Sequence, residues 1–269
     1  MPYDAAAIAG YFDGFAAAEW DRFGHTLGDR VSLALHVEAL RRSIPPACRV
    51  LEIGAGPGRF TEVLAALGCQ VVVGDISTVQ LELNRARANE RGFATSVERW
   101  QQLDVCDLRP LTPGAFDAVV AYGGPLSYAL DRRDQALAEC VRVLRPGGVL
   151  ALSVMCLWGA MRRHLPVILQ QPPEINARIV ATGDLDEATN FGSGHYCHMF
   201  RSGELVELLR RHGLTIDLIS ASSALSTGLD AGLATAPERW RELLEWERAA
   251  CVEPANLDAG THLIAVARR

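Results

Sequence analysis

The sequence predicts an α/β fold: a parallel sheet covered by helices on both faces. Three observations carry this. Strand-like runs at 49–53, 71–75, 97–103, 116–121 and 148–155 alternate with helical stretches. The first run closes on a glycine-rich turn, Ile53-Gly54-Ala55-Gly56-Pro57-Gly58, that opens a helix. The second run, Val71-Val72-Val73-Gly74-Asp75, ends on a carboxylate. Strand, glycine turn, helix, strand and terminal acid make one βαβ unit able to hold an adenosine-containing ligand. Glycine suits the turn because the backbone must adopt φ values that a Cβ penalises and must approach the ligand closely. The carboxylate offers two acceptors to the paired hydroxyls of a ribose.

The elements follow in order. Residues 4–42 read as helical, from the alanines at 5–9 through Ala16-Ala17-Ala18-Glu19-Trp20 to Val31–Leu40. Ile44-Pro45-Pro46 stops that region before the first strand. After Met155 the alternation breaks. Residues 156–200, with Gln170-Gln171-Pro172-Pro173 and Gly192-Ser193-Gly194, exceed an ordinary connection of about two to six residues. They read as an insertion folding over the ligand, partly helical from Trp158 to Gln170. Ser202–Gly213 reads as a helix with Ser202 as N-cap and Gly213 beyond its end. Leu214–Ser220 and Thr261–Ala267 read as further strands, with a helix over Pro237–Cys251 between them.

Composition narrows the function. A chain of 269 residues fits one domain, divided as an N-terminal helical cap at 1–45, a ligand-binding core at 46–155, a cap insertion at 156–200 and a C-terminal part of the sheet at 201–269. The net charge of −6 argues against nucleic acid as a partner, because phosphate binding needs a basic face. Seven scattered cysteines without a C-x-x-C pair read as reduced, buried thiols of a cytoplasmic protein. No secretory signal and no apolar run of about 20 residues is visible, so no membrane association is expected.

The glycine spacing separates ligand classes. Dinucleotide sites use G-x-G-x-x-G; here Gly54-x-Gly56-x-Gly58 is followed by Arg59. Preceded by Glu52, this stretch resembles the first motif of the class I S-adenosylmethionine-dependent methyltransferases. Asp75, Gln102–Leu108, Phe116–Pro125 and Ala138–Leu152 resemble that family's later segments in the same order. The resemblance covers residues 48–155 and is looser beyond 156. It implies a three-layer Rossmann-like sandwich with a seven-stranded, mostly parallel sheet, an antiparallel seventh strand and helical cap elements. The cofactor it implies is S-adenosylmethionine, with S-adenosylhomocysteine as product.

The resemblance also suggests roles. Asp75, with Ile76 beside it, would hold the ribose; its plainer reading is a loop acid capping the next helix. Gly54, Ala55, Gly56 and Gly58 would let the backbone approach the methionine part. Glu52 would act near the cofactor's amino group or simply orient the loop. Asp104, at the end of the third strand, competes with Asp107 for the adenine, with Val105 giving a backbone amide. Tyr122 and Gly123 lie where sulfonium and acceptor should meet. Amine-methylating relatives carry Asn or Asp before Pro-Pro there, and Gly123-Gly124-Pro125 departs from that pattern.

His195-Tyr196-Cys197-His198 offers His198 or His195 as a catalytic base. Two histidines three residues apart make a weak metal site, so no metal is expected. Arg162-Arg163-His164 reads as a solvated helix face. Tyr11, Trp20, Tyr128 and Trp158 are candidates for an aromatic acceptor pocket, or else for core packing. The leading expectation is methyl transfer to a small-molecule acceptor by in-line displacement. Two others are weighed: a non-catalytic S-adenosylmethionine-binding regulatory or scaffold protein, and a nicotinamide-dependent oxidoreductase, which the glycine spacing disfavours.

Overall fold

Val50, Leu51, Glu52 and Ile53 alternate between two cores, and the same sorting runs through every central strand. Leu51, Ile53, Val119, Ala121, Leu150 and Leu152 pack on one face, with Leu126, Leu137 and Leu209. Val50, Val71, Val73, Val120 and Tyr122 pack on the other, with Leu35, Phe60 and Leu64. Burial on both faces is what the near-continuous apolar strands require. The protein is seen in a computed structural model that describes residues 2–190, 194–230, 232–233 and 236–269.

The strands are β1 Arg49–Ile53, β2 Gln70–Asp75, β3 Val97–Gln102, β4 Phe116–Ala121, β5 Leu144–Met155, β6 Asp184–Leu185, β7 Cys197–His198, β8 Thr215–Ala221 and β9 His262–Arg268. Seven form one sheet in the order β3-β2-β1-β4-β5-β9-β8, and β6 and β7 form a separate antiparallel ribbon. β9 runs antiparallel between β5 and β8, and the other pairings are parallel. The strand order reverses direction between β1 and β4. Ligands of open α/β sheets sit at the carboxyl ends of the strands at such a point.

The helices are α1 Ala5–Phe15, α2 Leu27–Ser43, α3 Arg59–Ala66, α4 Thr78–Glu90, α5 Pro125–Tyr128, α6 Arg133–Val143, α7 Leu157–Arg163, α8 Leu165–Ile168, α9 Pro173–Thr182, α10 Ser202–Arg211 and α11 Pro237–Ala250. The N-terminal region is not one continuous run of α-helix. α1 ends at Ala16, whose φ is +44°, and residues Ala16–Phe23 form a 3-10 segment. α2 then restarts behind a capping box: Thr26 Oγ1 accepts from Asp29 N–H at 3.1 Å, and Asp29 accepts from Thr26 N–H at 2.9 Å.

Two expectations on boundaries need correction. β5 begins at Leu144 rather than 148, because Leu144 already pairs with Phe116 ahead of an irregularity in register. Ser202 does not cap α10. It is the first helical residue, and its hydroxyl donates to Asp258 Oδ2 at 2.8 Å. Gly213 does follow the helix end with φ +74°. In the 156–200 stretch, Gly192 and Ser193 lie outside the described residues; α7, α8, α9 and the β6–β7 ribbon make up its regular part. All seven cysteines are buried and none is in a disulfide. Among the described residues no helix is long and apolar enough to cross a membrane.

Candidate functional site

The loop after β1 needs its glycines. Gly54 has φ +69°, and a Cβ there would lie 2.5 Å from Pro125 Cγ at the start of α5. Gly56 has φ +54°, and its N–H donates to Asp75 Oδ2 at 2.8 Å. Asp75 Oδ1 accepts from Ser77 N–H at 2.9 Å. The helix after this turn is capped by Ser77, which accepts from Gln80 N–H at 3.0 Å. Each Asp75 oxygen therefore keeps a lone pair after tying the two strand ends together. Asp75 is 5% exposed, and burial pushes its pKa up to about 6 against the bonds from Ser77 and Gly56.

These groups border a cavity of about 840 Å³, open mouth included, at the carboxyl ends of β1, β2 and β4. Of the residues that the sequence put forward for the cofactor, Gly54, Ala55, Gly56, Asp75, Ile76, Val105, Tyr122 and Gly123 line it. Glu52, Gly58 and Asp104 do not. Glu52 is buried behind the loop and accepts from Thr61 Oγ1 at 2.6 Å. Burial drives its pKa up to about 8. Asn84 Nδ2 donates to Thr61 Oγ1 at 2.9 Å and to Gly56 O at 3.2 Å, while Asn84 Oδ1 accepts from Trp100 Nε1 at 2.9 Å. Of the two roles open to Glu52, this arrangement matches bracing of the loop. Gly58 lets α3 pack on Asn84, 3.1 Å from where its Cβ would stand. Asp104 Oδ1 is occupied, by Tyr3 Oη at 2.7 Å and Cys106 N–H at 2.7 Å. Asp107 pairs with Arg109, also away from the cavity.

The N-terminal helices roof the cavity, and Tyr3, Ile8, Phe12, Glu19, Arg22 and Phe23 line it from that side. Gln80 Nε2 holds the roof down by donating to Phe12 O at 3.0 Å and Ala16 O at 3.1 Å. Trp20 is not in the cavity wall: it lies between the guanidinium groups of Arg59 and Arg87, 3.9 and 3.8 Å from its ring. Trp158 is 44% exposed and likewise outside the wall, so neither indole lines the cavity. Tyr128 does line it. Tyr11 stacks on His195 instead, ring centroids 5.3 Å apart and planes 8° off parallel.

The two candidate histidines separate. His195 Nε2 is 3.0 Å from Tyr128 Oη, and burial lowers the His195 pKa, keeping the ring neutral. His198 has both nitrogens engaged, Nδ1 by Asp184 at 2.7 Å and Nε2 by Glu204 at 2.8 Å, and it does not line the cavity. With both nitrogens taken by acids and the ring outside the cavity wall, the expectation of His198 as a base is corrected. Arg163, read as solvated, instead pairs with Asp29 at 2.6 Å.

Four buried side-chain polar atoms have no hydrogen-bond partner among the described residues, and three belong to residues of this cavity: Tyr122 Oη, Gln80 Oε1 and Arg59 Nε. Among the described residues no group of three or more His, Cys, Asp or Glu could hold a metal ion.

A family model described as a methyltransferase domain matches residues 51–152, from β1 through most of β5. Over these residues the chain matches a methyltransferase domain, in keeping with its resemblance to the class I S-adenosylmethionine-dependent methyltransferases. The cofactor that this match implies is S-adenosylmethionine. The chain is 26% identical over 212 residues to a ubiquinone biosynthesis O-methyltransferase of Xanthomonas axonopodis pv. citri, covering 77% of this chain and 81% of that one. Of several other curated relatives the chain spans about half to two thirds of the length. A methyltransferase structure from Mesorhizobium loti shares the fold with a TM-score of 0.59 at 21% identity, over 86% of this chain and 96% of that one. A chain of the complex between the Haloferax volcanii Trm112 methyltransferase activator and a putative methyltransferase does so with a TM-score of 0.62 at 18% identity, over 97% and 96%.

The wall of the cavity fits such a cofactor, offering acceptors at Asp75 and a loop in which Gly54 and Gly56 leave the backbone open to close approach. A pH effect follows from Asp75. Its folded pKa near 6 exceeds the ordinary 3.8, so the folded chain binds this proton more tightly, and the group's contribution to stability declines as pH rises from about 4 to about 6. Below pH 6 a protonated Asp75 offers one acceptor oxygen fewer. Calorimetric titration with S-adenosylhomocysteine is expected to show affinity falling as pH drops through about 6; a flat profile from pH 5 to 8 would remove Asp75 from the binding account.

Proposed function

We propose that this chain moves a methyl group to a small-molecule acceptor by in-line displacement, with the acceptor beside Tyr128 under the N-terminal roof. The observation carrying this reading is the roofed cavity itself, whose walls include the aromatic rings of Phe12 and Tyr128. A cavity of about 840 Å³, open mouth included, suits a small ligand pair, not a nucleic-acid strand. The acidic net charge of −6 agrees. That curated relatives are named O-methyltransferases supports an oxygen acceptor.

S-adenosylmethionine supplies an electrophilic sulfonium methyl group. The chain's work is then alignment, and holding two reactants in near-attack geometry contributes roughly 7–11 kcal/mol. Asp75 takes the ribose hydroxyls. The Gly54–Gly56 backbone lies along the methionine portion, and Ile76 and Val105 flank the adenine. Gly123 gives room at the end of β4, where any side chain would crowd Arg22. Tyr128 Oη accepts the acceptor's proton while passing its own to the neutral His195 Nε2, 3.0 Å away.

His195→Ala is expected to lower kcat about a hundredfold, within the usual range for a general base, and to leave S-adenosylhomocysteine affinity unchanged. His198→Gln should lower thermal stability and spare kcat, because it opens the Asp184–His198–Glu204 bridge away from the cavity. Single-turnover transfer of labelled methyl groups across a panel of phenols and carboxylic acids reads both. Full turnover by His195→Ala would end the base assignment.

A further inference from the structure

Neither Arg22 nor Glu19 has a task in that mechanism, yet both stand inside the cavity wall. They come from the 3-10 segment Ala16–Phe23, which crosses above the strand ends. Glu19 reaches toward the glycine loop, with Cγ 3.9 Å from where a Cβ on Gly56 would be. Arg22 covers the end of β4, with Nη2 2.9 Å from where a Cβ on Gly123 would be. The two are joined at 2.9 Å, with side chains 30% and 15% exposed for Arg22 and Glu19. Among the described residues this is the one ion pair that bridges two cavity-lining side chains.

A guanidinium carries five N–H donors in a planar fork, and a single acid satisfies only part of it. Phe23 supports the fork from beneath, with Arg22 Cζ 4.6 Å from its ring centroid. A cation in this place is matched by paired carboxylate oxygens. The arrangement is that of an anion site already filled by an acid of the chain itself.

We propose that Arg22 binds a ligand carboxylate in this cavity and that Glu19 is the internal acid which that carboxylate displaces. The inference rests on the cofactor reading of the cavity. Two ligands bring the group: the amino-acid tail of the cofactor, or an acidic acceptor. Exchange of one acid for another at a fixed cation keeps charge balanced in the cavity and frees Glu19 to turn toward the open mouth.

Calorimetry on the full chain distinguishes these sources. S-adenosylhomocysteine carries the carboxylate, and 5′-methylthioadenosine is the same nucleoside without it. If the tail is the ligand, Arg22→Gln weakens S-adenosylhomocysteine binding at least tenfold and leaves 5′-methylthioadenosine within twofold of wild type. Glu19→Gln, which removes the competitor, then tightens S-adenosylhomocysteine binding several-fold and leaves the other unchanged. If the acceptor is the source, Arg22→Gln spares both nucleosides and abolishes binding of benzoate, the probe acid, to protein saturated with S-adenosylhomocysteine.

Unaltered affinity of Arg22→Gln for S-adenosylhomocysteine, together with benzoate binding that is absent in wild type or retained in the variant, overturns the proposal. Equal loss of both nucleosides in Arg22→Gln also overturns it, since that reports a structural role. Wild-type protein that binds neither nucleoside contradicts the cofactor reading instead, and the proposal falls with it.

Discussion

Asp75→Ala is expected to weaken S-adenosylhomocysteine binding about a hundredfold or more. Hydrogen bonds to a charged group contribute about 1.5–3 kcal/mol each, and two ribose hydroxyls would lose their acceptor together. The substitution also frees the Gly56 and Ser77 N–H groups, both now bound by this carboxylate at 2.8 and 2.9 Å. The loop would lose its tie to β2 along with the ligand contact. Asp75→Asn separates the two effects. It keeps one acceptor for the loop and removes a buried charge whose pKa is driven up by desolvation. Its thermal stability near pH 7 should equal or exceed wild type, while its affinity stays at least tenfold lower. A carboxylate kept ionised against the cost of burial is characteristic of a group retained for binding. Asp75→Asn with both wild-type affinity and wild-type stability would show that the acid serves neither.

Gly159→Ala should be the most damaging single methyl group in the chain. A Cβ at Gly159 would stand 1.7 Å from Gly260 O and 2.1 Å from Gly260 C, both backbone atoms that no rotamer change can move aside. The entry to α7 is stitched on both sides: Cys156 N–H donates to Thr261 O at 2.9 Å, and Leu157 N–H donates to Phe200 O at 3.0 Å. Lifting the helix breaks these bonds at the end of β5 and the start of β9. Overpacking costs about 1–3 kcal/mol, occasionally more, and here buried hydrogen bonds are lost as well. A loss of about 3 kcal/mol lowers Tm by roughly 6–12 °C in a domain of this size. Thermal unfolding of Gly159→Ala measures it. A Tm within 2 °C of wild type would mean that α7 does not cross Gly260 as closely as described.

The core of the fold was legible because its signals are local. Most central strands are short apolar runs closed by a turn, and the loop at 54–58 and Asp75 sit where one βαβ unit must put them. The roof was less legible. Ala16–Phe23 read as part of a longer helical region but is a 3-10 segment crossing the cavity, so nothing in the sequence singled out Glu19 or Arg22 as cavity residues. Trp20 read as a pocket wall or as core packing, and two arginines distant in sequence enclose it instead. Tyr3 reaches Asp104 from 101 positions away, a contact that no motif encodes. The two histidines are three apart on one short segment, and only the positions of Tyr128, Asp184 and Glu204 distinguish them. Glu52 was legible as a motif residue, but its direction was not, since Thr61 and Asn84 draw it behind the loop.

A crystal structure of the chain with S-adenosylhomocysteine tests the central claim most directly. The account predicts both ribose hydroxyls on the Asp75 carboxylate, the homocysteine chain along Gly54–Gly56, and the sulfur facing Gly123 and Tyr128 beneath the roof. Density for the nucleoside elsewhere on the molecule, or an Asp75 carboxylate turned away from the sugar, would contradict it.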